Sequence, residues 1–84
     1  MFKAAKAGPQ KAITANRLDN GRVVFLGENG DWRHALADAL LVADGPDLDE
    51  AVAYAQAQAD ARIVVEPYPI DIVTVDGRPT PARI

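Results

Sequence analysis

The chain has 84 residues, with nine Lys/Arg against twelve Asp/Glu, a formal net charge of −3, one histidine and no cysteine. That length makes one domain with a modest core and leaves no room for a cofactor domain beside a substrate domain. The missing cysteines exclude disulfides, thiolate nucleophiles and cysteine-ligated zinc or iron–sulfur sites.

No segment approaches the ~20 apolar residues needed to span a bilayer, and Lys3 and Lys6 precede no apolar stretch of the kind a signal peptide carries. The expectation is a cytoplasmic protein with no membrane span. Apolar residues make up 49 % of the chain, but alanine supplies much of that, so the large core formers reduce to Phe2, Phe25, Trp32, Tyr54, Tyr68 and scattered Leu, Ile and Val. Charge is divided along the chain. Residues 1–33 hold six Lys/Arg against three acids, and residues 34–84 hold three against nine. Such a division can guide a charged partner to one face, although ordinary solubilising charge explains it as simply.

In chain order, residues 1–10 read as a flexible N-terminal arm and 11–84 as a single α+β domain. The segments Lys11–Arg17 and Arg22–Leu26 flank Asp19-Asn20-Gly21. The Asn-Gly pair predicts a hairpin with positive φ at both central residues, as a type I′ turn requires. A second pair, Asn29-Gly30, ends that strand and turns the chain toward Trp32. Between Arg33 and Ala43 the pattern is mixed: Ala35, Leu36, Ala39 and Leu40 have helical spacing, whereas Leu40–Ala43 resembles a short buried strand. The reading adopted is a single-turn or irregular segment through Asp38, then a short strand.

After Pro46, Asp47 with Glu50 three residues on predicts a capping-box start for a helix over Asp49–Ala61. Leu48, Ala51, Val52, Ala55 and Ala59 fall on one face of it, and so narrow and small a stripe predicts close packing against a sheet. Two β-branched runs follow, Arg62–Val65 and Ile70–Val75, separated by Glu66-Pro67-Tyr68-Pro69. Because the prolines fix φ and lack a backbone donor, this reads as strand, rigid corner, strand, with Tyr68 presented on a bend outside any ladder. Asp76-Gly77 then turns the chain into Arg78–Pro81, whose prolines confine it to a sheet edge.

Few residues carry chemistry. His34 has no neighbour to orient it and no nucleophile in reach, so it reads as a surface or turn histidine. Asp44, Asp47, Asp49 and Glu50 crowd seven positions but lack the spacing of a calcium loop; their place at a helix N-terminus explains them without metal. Lys3, Lys6, Lys11, Arg17 and Arg22 could meet phosphates, yet the acidic balance and few rings argue against nucleic acid. Trp32 and Tyr68 are aromatic contact candidates beside the commoner role of core anchor. Tyr68 is the better functional candidate, because its hydroxyl needs a partner and its backbone is stiff.

Several short motifs together resemble a small bacterial family of unknown biochemical activity whose genes commonly lie beside those for sulfite reductase and sirohaem synthesis. They are Met1-Phe2-Lys3, Thr14-Ala15-Asn16 with Leu18, Gly21-x-Val23-Val24-Phe25-Leu26, Trp32 with Leu36 and Ala39, Val65-x-Pro67-Tyr68-x-Ile70-Asp71, and Gly77-Arg78-Pro79-x-Pro81. Pro69 departs from the leucine more usual there, and the basic tail typical of that family has no counterpart before Ile84. The resemblance implies a setting in assimilatory sulfate reduction and carries over no catalytic residue.

The expected fold is therefore α+β, a small mostly antiparallel sheet of about five short strands with one helix on one face. The expected function is a non-catalytic accessory or adaptor domain that contacts sulfite reductase or its electron supply, with neither a cofactor nor a metal of its own. Its docking site is expected at Glu66, Pro67, Tyr68, Pro69 and Asp71. The alternative is a small-ligand or sirohaem-handling module in which His34, Tyr68 and arginines line a site for an acidic tetrapyrrole.

Overall fold

A computed structural model describes residues 10–81. The arm expected over residues 1–10 lies outside them except for Gln10, which is already in a strand. The elements are β1 (Gln10–Arg17), β2 (Val23–Leu26), β3 (Trp32–Arg33), a 3₁₀ turn (Leu36–Asp38), β4 (Val42–Ala43), α1 (Pro46–Asp60), β5 (Val64–Val75) and β6 (Arg78–Pro81). Neighbouring strands pair antiparallel in the order β3-β2-β1-β5-β6, with β4 added to β1 at Gln10 and Lys11. This is the α+β architecture expected, and β6 takes the edge that its prolines call for.

The first hairpin pairs Thr14 with Phe25, Ala15 with Val24 and Asn16 with Val23. Its turn differs from expectation, because Gly21 has positive φ (+71°) and Asn20 does not. The connection is four residues long, closed by the Arg17 N–H to the Arg22 carbonyl (2.9 Å) and the Gly21 N–H to the Arg17 carbonyl (2.8 Å). A longer loop is not bound to the mirror-turn geometry of a two-residue one. Asn20 serves through its side chain, whose Oδ1 accepts the Arg22 N–H at 2.9 Å. The mirror geometry occurs instead at Asp76-Gly77, with φ +52° and +76°, between the paired residues Val75 and Arg78.

The second hairpin also forms, with Phe25 opposite Arg33 and Leu26 opposite Trp32. Gly30 takes φ +85° in its turn. The mixed segment resolves as read, into one 3₁₀ turn and then β4. The helix start is corrected. Gly45 is the N-cap at φ +124°, Pro46 is the first helical residue, and no side chain caps the helix, so Asp47 and Glu50 form no capping box. Proline at that position has its φ preset and lacks only an N–H the helix would leave unpaired. Only glycine adopts the preceding backbone easily. Asp47 and Asp49 still lie in the first turn, where their charge favours the helix dipole.

The larger correction concerns the corner. Residues Val64–Val75 form one continuous strand, in which Tyr68 pairs with Thr14, Pro69 with Ile13 and Ile70 with Ala12. β6 borders this strand at Ile72–Val75, so Pro69 pairs with β1 on one side while its missing donor is directed at the open side. The irregularity is a bulge. Glu66 and Pro67 together oppose Ala15 between the pairs Asn16–Val65 and Thr14–Tyr68, and Glu66 adopts φ +51°. A left-handed first residue with two-against-one pairing is how a strand absorbs one extra residue.

α1 covers one face of the sheet. Ile13, Leu26, Leu40 and Val42 pack there against Leu48, Ala51 and Ala55, while Ala15, Val24 and Val64 form an adjoining cluster. Half-buried Trp32 touches both clusters and donates its Nε1–H to Gln58 Oε1 at 3.4 Å, so it is a core anchor. The alanines of α1 let the helix approach closely, and each large aliphatic side chain buried below it contributes about 1.5–3 kcal/mol.

Candidate functional site

Strand alternation sorts β1 into two sets. Ile13 and Ala15 face α1; Ala12, Thr14 and Asn16 face away. The register then sets Val23 and Phe25 of β2 and Val65, Tyr68 and Ile70 of β5 on the same far face. The Leu18 N–H donates to the Ile63 carbonyl at 3.2 Å, which extends that ladder by one pair and adds both side chains. Leu18, Val23, Ile63 and Tyr68 are 50, 56, 40 and 55 % exposed. They are the most open large apolar side chains on this face, where Asn16 is exposed as well and Ala12 and Ile72 are buried. Phe25, Val65 and Ile70 are half-buried among them. Buried Thr14 lies beneath, its Oγ1 donating to the Val24 carbonyl at 3.1 Å.

The bulge creates this grouping. Val65 and Tyr68 are three residues apart, so strict alternation would place them on opposite faces. The extra residue at Glu66-Pro67 restores them to one. A non-glycine residue in the left-handed region costs roughly 1–2 kcal/mol, and here Glu66 bears it.

The five expected docking residues do not converge. Tyr68 alone is exposed on the far face. Asp71 forms an ion pair with Lys11 on the side of α1, and Pro69, opposite Ile13, shares that side. Glu66 is exposed at the bulge and Pro67 is half-buried. Tyr68 has other companions, Leu18, Val23, Phe25 and Ile63, which the sequence reading did not single out. The signal for them was Val23-Val24-Phe25-Leu26, apolar at both parities, which marks a strand with two apolar faces.

Among the paired strand residues, the charged side chain that shares the far face is that of Arg33, opposite Phe25. Arg33, beside Phe25, pairs with Asp31 at 2.8 Å. Gly27 is buried beneath them, and a Cβ there would collide with the Asp31 carboxylate. The hydrogen bond between them lowers the Asp31 pKa and raises that of Arg33. Lys11 is likewise held above its ordinary value, chiefly by its hydrogen bond to Asp71. Arg22, level with Arg17, and Glu66, opposite Ala15, fall on the side of α1 and carry no ion pair among the described residues. His34 is exposed. Among the described residues no three His, Cys, Asp or Glu side chains are grouped to hold a metal ion, and no helix is long and apolar enough to cross a membrane.

A family model described as a protein of unknown function, DUF2849, matches residues 11–84. The chain belongs to that family. The match spans both hairpins, α1 and the bulged β5, so the far face lies wholly within the family domain. No curated protein and no solved structure matches the chain.

Proposed function

We propose that this domain is a non-catalytic accessory module of assimilatory sulfite reduction that binds sulfite reductase, or the protein supplying its electrons, through the far face around Tyr68. The pathway is taken from the sequence resemblance. The observation that supports docking is the exposure of Tyr68 beside Leu18, Val23 and Ile63 on one face. Contiguous apolar area of that kind is what protein interfaces use, with tyrosine among their preferred anchors. The fixed backbone of Pro67 and Pro69 limits the entropy lost on binding. The partner meets the face and not the strand edge, because two prolines on the open side of β5 remove donors that an added strand needs.

The sirohaem-handling alternative has less support. It needs His34 and Tyr68 together, and they stand on β5 and just beyond β3, three strand spacings or about 14 Å across the sheet.

The test is capture of purified sulfite reductase by the domain and by Tyr68→Ala, with thermal unfolding of both. Docking predicts a variant that stays folded and loses capture. Capture of equal strength by a folded Tyr68→Ala would remove the proposal, and a Soret shift on mixing wild-type protein with sirohaem would favour the alternative.

A further inference from the structure

We infer that Asn20 is a site of spontaneous deamidation in the folded protein, and that Asn29, in the same Asn-Gly sequence, is protected by the fold. This holds whatever meets the far face, because it concerns bond chemistry within one loop.

In an Asn-Gly pair the backbone nitrogen of the glycine, having lost its proton, attacks Cγ of the asparagine side chain. A new N–Cγ bond closes a succinimide ring, the Cγ–Nδ2 bond breaks and ammonia leaves. Water then opens the ring at either carbonyl. Opening at Cγ gives aspartate; opening at the main-chain carbon gives isoaspartate, whose backbone runs through Cβ and Cγ. Water is the one co-reactant, and nothing is oxidised or reduced. Glycine favours the attack because no Cβ crowds the nitrogen or restricts the backbone conformation the ring requires. The chain contains the pair twice, as Asp19-Asn20-Gly21 and Glu28-Asn29-Gly30, each preceded by an acid. Local sequence therefore barely separates them.

The fold does. Asn20 Oδ1 accepts the Arg22 N–H at 2.9 Å, an Asx turn that folds the carboxamide back over the following peptide. The same N–H stands where negative charge collects on Oδ1 as the Gly21 nitrogen attacks, and a donor placed there in advance lowers the barrier. Against the attack stands the bond from the Gly21 N–H to the Arg17 carbonyl at 2.8 Å. Asp19, Asn20 and Gly21 are exposed, and nothing lies within 4 Å of an added Cβ at Gly21, so that bond opens without uncovering buried surface.

Asn29 is exposed, but the glycine that must attack it is buried. The Gly30 N–H donates to the Gly27 carbonyl at 3.0 Å, and the Gly27 N–H donates to the Asp31 carbonyl to close the turn around it. The Gly30 carbonyl accepts the Tyr54 hydroxyl of α1 at 2.7 Å. Drawing this peptide into a ring detaches the turn from the helix as well as breaking its own bonds.

The products differ in what they disturb. Aspartate at position 20 keeps an acceptor for the Arg22 N–H and adds a negative charge to the loop between Arg17 and Arg22. Isoaspartate adds a backbone atom to the loop that joins Leu18 to Val23, two residues of the far face. The loop records the age of the molecule.

The test is incubation of the full chain in mildly alkaline buffer, native and in urea, with peptide mapping by mass spectrometry at both asparagines and isoaspartyl methylation to count isoaspartate. In urea the two should convert at similar rates. In the native protein Asn20 should convert at least about tenfold faster than Asn29 and give both products. Tyr54→Phe, which removes the hydroxyl from Gly30, should speed Asn29 and leave Asn20 unchanged, with circular dichroism to check that the variant is folded. Native rates that are equal, a faster Asn29, or an Asn20 that converts in urea but not in the native protein would overturn the inference.

Discussion

The two faces of the sheet are both built from apolar residues, yet they are covered unequally, and the far face is itself buried at its Ala12 and Ile72 end. On the side of α1, Ile13, Val24, Leu26 and Val64 are fully buried; on the other, Val23 and Tyr68 remain more than half exposed. The run Val23-Val24-Phe25-Leu26 is apolar at both parities, so it marks two apolar faces without saying which of them the chain itself covers. Coverage is decided by where the single helix lands. α1 packs through Leu48, Ala51 and Ala55, and a stripe that narrow serves one face. The far side is thus left with hydrophobic area that its own chain does not use among the described residues.

Substitutions on each side should separate the faces by size of effect. The largest loss is expected for Leu26→Ala, which opens a cavity under α1 and should cost about 2–5 kcal/mol in chemical denaturation. Gly21→Val comes next. The space around Gly21 is open, with nothing within 4 Å of an added Cβ, so its cost of about 1–2 kcal/mol comes from backbone strain alone at φ +71°. A loss near that of Leu26→Ala would place the turn inside the core. Tyr68→Ala should cost less than about 1 kcal/mol, with the melting curve nearly unmoved; a core-sized loss would show that the far face is covered after all.

The smallest effect concerns pH. The Lys11 pKa is raised by its hydrogen bond to Asp71, so the stabilisation from that pair is present below the ordinary lysine pKa and is lost as pH rises through the raised value. Wild-type stability should therefore decline slightly in strong alkali, and the Lys11→Met variant should lack that part of the decline. Comparing melting temperatures of the two across alkaline pH checks the sign.

Much of the fold was legible because its turns are written in local chemistry. Asn20-Gly21, Asn29-Gly30 and Asp76-Gly77 each mark a reversal that occurs, and the ambiguous stretch before β4 resolved as its spacing allowed. The helix start shifted because glycine followed by proline supplies the N-terminal geometry without a side-chain cap. The corner was misread for a tertiary reason. Proline ends a strand when its absent donor is needed, and on the open side of β5 it is not. The grouping of Tyr68 with Val23 and Leu18 was beyond local pattern, since it depends on pairing across β1 and on one extra residue in β5.

That extra residue has a consequence for chain length. Removing Glu66 would leave Pro67 alone opposite Ala15 while Val65 stayed opposite Asn16 and Tyr68 opposite Thr14, so every later residue would keep its face. The unmatched Pro67 would again direct its missing donor to the open side. A one-residue deletion outside the Glu66-Pro67 bulge would turn the remainder of the strand over, setting Asp71 where Ile70 or Ile72 belongs. β5 can therefore shorten by one residue at the Glu66-Pro67 bulge without reversing its faces, and a Glu66 deletion should give a folded protein where deletion of Ile70 does not.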